Sequence, residues 1–163
     1  MLEKPVMAVA GRTRDNSIIL LVQPRFHEPG AQHIDDLLRY GIFIVEQIIK
    51  QIEREGCSPT IHCIYDRTGM TSLNRDNALI KLSIKMAKML QDFYCERLGN
   101  FYVIGANWLF WMAHKLIAPF LAKKTAEKIK LIYQLPQLHE WIDTNNLIEE
   151  HGGTLPYQYN SLE

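Results

Sequence analysis

The sequence predicts an α/β layer fold built on a mainly parallel central sheet. Two observations carry this. Short apolar, β-branched runs alternate with long stretches of helical periodicity. The connections between successive runs are also longer than a hairpin allows, which favours crossover helices and parallel pairing. The chain has 163 residues, 47% of them apolar, so a chain of this size buries roughly 70% of its unfolded surface in one core. Disorder, collagen and a small disulfide scaffold are excluded by that composition.

Residues 17–23 (SIILLVQ) read as the first buried strand, with Arg14, Asp15 and Asn16 turning the chain before it and Pro24 after it. Residues 27–32 form a loop. A long helix covers 35–55, with Leu38, Ile42, Val45, Ile49 and Ile52 at spacings of three and four. Asp35 and Asp36 suit the positive end of its dipole, and Gly56 is its stop. Residues 60–65 (TIHCIY) follow a Ser-Pro turn as the second strand. A polar loop, 66–76, leads to a helix over 77–95 with Leu79, Leu82, Met86, Leu90 and Phe93 on one face, ended by Gly99. Strands are predicted at 101–104 and 129–133, with an apolar helix between them at 106–122. Residues 125–128 lead into the last of these strands. A short helix at 135–142 follows, then a loop ending at Gly152 and Gly153. Residues 1–16 read as a lead-in, 17–156 as the folded domain, and 157–163 as a tail whose Leu162 and Glu163 read as a cloning remnant.

Lys plus Arg and Asp plus Glu both number 18, so the chain lacks the net basic charge of a non-specific nucleic-acid binder, and no nucleic acid is expected. Cys57, Cys63 and Cys95 are an odd set without a CxxC pair, which predicts buried thiols in a reducing compartment. Residues 1–10 lack signal-peptide architecture, and no stretch reaches the roughly 18 uninterrupted apolar residues of a membrane span. Residues 40–49 are broken by Glu46, and 106–122 by His114 and Lys115. A soluble cytosolic domain is the expectation, with no metal and no cofactor.

Few motifs point to catalysis. His62-Cys63 followed by Arg67-Thr68-Gly69 looks like a cysteine-phosphatase loop, in which a thiolate attacks phosphorus while an Arg and backbone N–H groups hold the oxygens. That family needs five residues between Cys and Arg. Only Ile64, Tyr65 and Asp66 intervene, and Cys63 sits inside a strand, so a buried cysteine is expected and the protein is read as no enzyme. The histidines show no HExxH spacing, and Gly152-Gly153 does not open a helix. The helix at 106–122 (ANWLFWMAHKLIAPFLA) is more unusual. Its apolar side chains run around most of its circumference, which fits a core helix, or one that covers an apolar cavity or meets a membrane.

Residues 95–129 carry a resemblance. Tyr94, Arg97, Gly99, Phe101, Tyr102, Pro119, Phe120, Leu121, Thr125, Lys128 and Ile129 resemble the signature stretch of the CRAL-TRIO lipid-binding family, which includes secretory phosphatidylinositol transfer proteins. The strand closing on Asp66, and Leu147 followed by Gly152-Gly153, also resemble that family. The likeness runs from about residue 60 to 156 and lacks the family's N-terminal helical subdomain, which implies a domain with flanking parts in a longer protein.

The resemblance implies a CRAL-TRIO-type layer fold whose helices cover an apolar lipid pocket, with a mobile gate helix at 106–118. It implies that one lipid, phosphatidylinositol first, is bound and transferred. Glu96, Thr125 and Lys128 match the headgroup positions of inositol-lipid members. Phe101, Trp108, Phe110, Trp111, Met112, Leu116 and Phe120 are the implied pocket and gate residues. The implied partners are a phospholipid or another hydrophobic small molecule and, transiently, a membrane surface. The implied location is the cytoplasm, with transient membrane association. One departure stands out: phosphatidylcholine-binding members carry Ser and Thr where this chain has Ile61 and Cys63. A tocopherol-like or retinoid-like ligand, or a regulatory protein-interaction role, are the other readings.

Overall fold

The computed structural model of the protein describes residues 5–30, 33–71, 77–94 and 96–156. The expected tail 157–163, Cys95, and residues 72–76 of the polar loop lie outside the described residues. The described strands are β1 (Met7–Arg12), β2 (Ile18–Val22), β3 (Ile61–Asp66), β4 (Leu98–Ile104) and β5 (Ile129–Ile132). They form one sheet in the order β1-β2-β3-β4-β5. From β2 to β5 every neighbour is parallel, whereas β1 and β2 pair antiparallel.

Strand β1 is the element that the sequence reading did not name, having placed residues 1–16 in a lead-in. Its MAVAGR sequence holds two Ala and a Gly, which are weak strand formers, and its pairing shifts register between Val9 and Arg12. It forms because β2 offers a partner across a tight turn, where the Thr13 N–H donates to Ser17 O at 2.9 Å.

Helix α1 (Ile34–Glu55) has Asp35 and Asp36 in its first turn and ends, as expected, at Gly56 with φ 65°. Its buried line runs through Leu37, Ile44, Val45, Ile48 and Ile52. That line is rotated slightly from the expected one, leaving Leu38, Ile42 and Ile49 half-buried at its margin. Helix α2 (Asn77–Phe93) crosses α1 where Gly41 lies so close that an added Cβ would be 3.0 Å from Met86 Cε. Leu82 of α2 is buried, but Phe93 is exposed rather than on the expected apolar face. Gly99 does not end this helix. It lies inside β4, and Glu96 instead takes the left-handed backbone (φ 64°) that turns the chain.

Helix α3 (Trp108–Ile117) and a 3-10 turn, Ala118–Phe120, occupy the predicted apolar segment. Helix α4 (Lys123–Glu127) precedes β5, where the sequence suggested only a lead-in. The expected helix at 135–142 is a 3-10 segment, Leu135–Glu140, with Pro136 in its first turn and two further 3-10 turns, Thr144–Asn146 and Glu149–His151, after it.

The two faces of the sheet are covered differently. One face packs Ile18 and Ile61 against Ile44, Val45, Ile48 and Ile52 of α1. The other packs Ile19, Leu21, Ile64, Tyr102 and Ile132 against Leu138, Ile142, Leu147 and Ile148 of the C-terminal segment. His62 belongs to this second face. Its ring stacks on Tyr102 with 5.8 Å between centroids, and its Nδ1 is 3.1 Å from the Tyr102 hydroxyl. Room for that ring comes from Gly99 on the neighbouring strand, where a Cβ would be 2.2 Å from His62 Cδ2. Gly99→Ala is therefore expected to destabilise the fold by about 1–3 kcal/mol through overpacking. Urea unfolding of the variant against the parent measures it as a lowered midpoint at unchanged slope.

Candidate functional site

Three places carry the functional side chains. The first is the N-terminal end of β4 and β5, where Glu96, Thr125 and Lys128 come close along the chain to Leu98 and Ile129. The half-buried Lys128 donates its ammonium to Leu98 O. Glu96 is exposed and holds a left-handed backbone, which costs a non-glycine residue about 1–2 kcal/mol. Thr125 is half-buried in α4, and its carbonyl accepts from Lys128 N at 3.2 Å. Among the described residues no ion pair joins Glu96 to Lys128. His62 lies nearby. Burial, opposed by Asp15 and assisted by the Lys128 charge, lowers its pKa and favours a neutral ring.

The second place is α3 with the sheet face toward α1. Parallel register puts Leu20, Val22, Tyr65, Phe101, Ile129 and Leu131, all half-buried, on that face around the buried Cys63 and Val103. The face is thus an apolar floor without complete cover. Helix α3 turns Phe110 inward, at 8% exposure. Trp108 (67%), Leu116 (58%), Met112, Trp111 and Phe120 are exposed, so α3 is no core helix. Its ends are defined by polar groups. Gly105 takes φ 70° against Thr68, and Asn107 caps the helix by accepting from Phe110 N at 3.1 Å. At the far end Gln91 of α2 donates to Phe120 O (3.0 Å) and accepts from Ala122 N (2.6 Å), while Lys88 lies over the Phe120 ring.

The third place was not foreseen from sequence. At the C-terminal ends of β3, β4 and β5 a cleft of about 470 Å³ is lined by Arg25, Asp66, Thr68, Gly105, Glu150 and His151, among others. Seven residues of β4, about 20 Å, separate this end from the Glu96 and Lys128 end. None of the sequence-predicted site residues lines it. The Asp66 carboxylate is 2% exposed. It accepts from Thr68 N (2.9 Å), contacts His151 Nε2 (3.1 Å), and has Gln23 and Arg25 at 3.4 and 3.5 Å. Arg25 also bonds Glu150. The Gly152-Gly153 pair places His151 there. Gly152 turns the chain at φ 79°, and Gly153 approaches Leu147 O so closely that a Cβ would sit 1.9 Å from it. The only sequence signal was positional, in an Asp closing a strand and a His directly before the glycine pair.

The phosphatase arrangement does not assemble. Cys63 is 4% exposed within β3, and burial pushes its thiol far above the ordinary range, so no thiolate is available. Among the described residues no three His, Cys, Asp or Glu side chains group as metal ligands, and no helix is long and apolar enough to cross a membrane.

A mainly parallel five-stranded sheet, packed on one face by α1 and on the other by the C-terminal segment, defines the class of α/β layer domains. Residues 2–153 match the CRAL/TRIO domain, and the chain belongs to that family. It is 27% identical over 161 residues to the phosphatidylinositol transfer protein CSR1 of Eremothecium gossypii, covering 99% of this chain and 36% of that protein. It is 38% identical over 88 residues to the Sec14 cytosolic factor of Schizosaccharomyces pombe, covering 52% of this chain and 29% of that one. The crystal structure of Sfh5 superposes with a TM-score of 0.76 at 17% identity, over 94% of this chain and 55% of that one, and shows the same fold. The chain thus spans roughly a third of the length of these curated relatives.

Asp66 makes a pH prediction. Burial acts to raise its pKa, but the hydrogen bonds from His151 and Thr68 outweigh burial and hold it at about 2. A carboxyl whose pKa is lower folded than unfolded contributes stability above about pH 4, and that contribution is lost as pH falls toward 2. The parent should lose about 2 kcal/mol over that window. Asp66→Asn should be less stable at pH 7 and lack this acid-dependent loss, as read by urea midpoints at pH 7 and pH 3.

Proposed function

We propose that the protein binds one lipid in the apolar space between α3 and the half-buried sheet face, and carries it between membranes. The observation that carries this reading is α3 itself, a helix with four large apolar side chains in solvent beside an apolar floor whose margin is half-buried. Each acyl CH₂ kept from water is worth about 0.8 kcal/mol, so two chains in water cost roughly 20 kcal/mol or more. A carrier must return nearly that amount from a long apolar enclosure. Opening α3 at a bilayer, where its exposed face finds lipid, and closing it in water meets that requirement. Gly105 is suited to the hinge, and the Gln91 bonds to the far anchor.

Phosphatidylinositol is the ligand this reading favours. Lys128 supplies a cation for a phosphate, Thr125 a hydroxyl donor, and Glu96 an acceptor for inositol hydroxyls. The left-handed backbone at Glu96 supports a functional constraint at that turn. A matching relative is named a phosphatidylinositol transfer protein, which favours the same ligand. Lipid exchange, rather than catalysis, is the activity, and a cytoplasmic location with transient membrane contact goes with it.

Native mass spectrometry of the protein purified from cells tests the reading. A co-purified phosphatidylinositol supports it, a tocopherol or retinoid mass reassigns the ligand, and a lipid-free protein that takes up nothing from vesicles overturns it. Lys128→Ala should abolish retention of phosphatidylinositol with the fold intact by circular dichroism. Replacing Trp108 and Trp111 together with Ala should slow transfer between vesicles several-fold, and an unchanged rate would remove α3 as the gate.

A further inference from the structure

Among the described residues, Arg67 is the one buried charge that neither the fold nor the proposed headgroup site uses. It follows β3 directly and is 7% exposed. Asp66, beside it, turns to the C-terminal segment and finds His151. Arg67 turns the other way, and its guanidinium lies 5.5 Å from the centre of the Phe110 ring on α3. Its backbone is fully used, with N–H donating to Ile104 O at 3.0 Å and the carbonyl accepting from Met70 N. Its side chain is not. Buried Nε has no hydrogen-bond partner, and among the described residues no carboxylate pairs with the guanidinium. Burial accordingly pulls its pKa down.

Such an arrangement is unfavourable in isolation. A buried donor left unpaired costs about 1–3 kcal/mol, and more when it is charged. A methionine or leucine would fill the space without that penalty. The location supplies the reason for a cation. Arg67 stands at the end of the half-buried apolar floor, two residues beyond Tyr65 and beneath the first turn of α3. The N–H groups of that turn add positive potential. One end of that apolar floor thus carries a buried cation with an unpaired donor.

We infer that Arg67 is the counter-ion for an anionic oxygen group, carboxylate or phosphate, on an acyl ligand lying along that floor beside α3. Guanidinium donors pair such groups in fixed geometry, and the phenyl ring of Phe110 covers the pair from water. The site differs from the one at Glu96 and Lys128, which lies at the opposite end of β4. It rests on the lipid-carrier reading and assigns the class of a second ligand. The unpaired guanidinium makes that ligand an acidic amphiphile.

The test compares 1-oleoyl lysophosphatidate with monoolein, which has the same tail and no phosphate, using the full chain and tryptophan fluorescence titration. The parent should bind lysophosphatidate at least ten-fold more tightly and gain thermal stability from it. Arg67→Met should lose the preference and keep monoolein affinity, with an unliganded Tm equal to or above the parent's. Arg67→Lys should retain part of the preference. No discrimination by the parent, or full discrimination by Arg67→Met, overturns the inference while monoolein binding leaves the carrier reading standing. Binding of neither lipid overturns both. Inorganic phosphate alone, stabilising the parent but not Arg67→Met as strongly as lysophosphatidate does, keeps the anion site and assigns its source to a free anion.

Discussion

The ionised Asp66 at the end of the central strand is the constraint on which the rest depends. A carboxylate 2% exposed is tolerable only when donors surround it, and these come from three separated parts of the chain. Thr68 is local, Gln23 and Arg25 follow β2, and His151 arrives from the C-terminal segment. Satisfying one charge therefore closes the C-terminal segment over its face of the sheet. Ile142, Leu147 and Ile148 are buried there as a consequence. The face that Asp66 commits to is sealed, and the opposite face is left for something else.

That asymmetry organises the functional side. Next to α1 the far face is a closed core, while toward β5 the same face sets half-buried side chains around the buried Val103. Tyr65 and Phe101 meet there ring against ring at 5.7 Å. A helix lies beside this region, apolar on its solvent side and fastened at its ends by polar contacts. Charges stand at both ends of the strands, Lys128 with Glu96 at one and Arg67 at the other. The fold is thus polar at two termini and apolar between them, which matches the layout of an amphiphile.

Much of this was legible in the amino-acid order where local physics decides. The β-branched run at 18–22, the three-four spacing of α1 and the αL stop at Gly56 all act within a few residues, and each appears where the pattern put it. Strand β1 was not legible, because Met7–Arg12 becomes a strand only through its partner β2. Gly99 misled for a similar reason. Its missing side chain serves His62 on the next strand, not a helix end. The cleft around Asp66 was hidden because its partner His151 is 85 positions away, a distance no spacing rule spans. Arg67 was visible only as part of a motif whose spacing fails. Its burial and its unpaired donor became apparent when Phe110 was placed above it.

The attachment of α3 has a thermodynamic consequence. Among the described side chains of α3, Phe110 is the large apolar one that is buried, while Trp108, Trp111, Met112 and Leu116 already face water. The proposed swing of the helix therefore newly wets little apolar area of the helix's own. Heat-capacity change follows apolar area, so this movement carries a small one and its equilibrium varies gently with temperature. Unfolding of the sealed face, by contrast, carries the steep curvature of a hydrophobic core. Under the proposed opening of α3, temperature sensitivity stays with the sealed face and not with the helix.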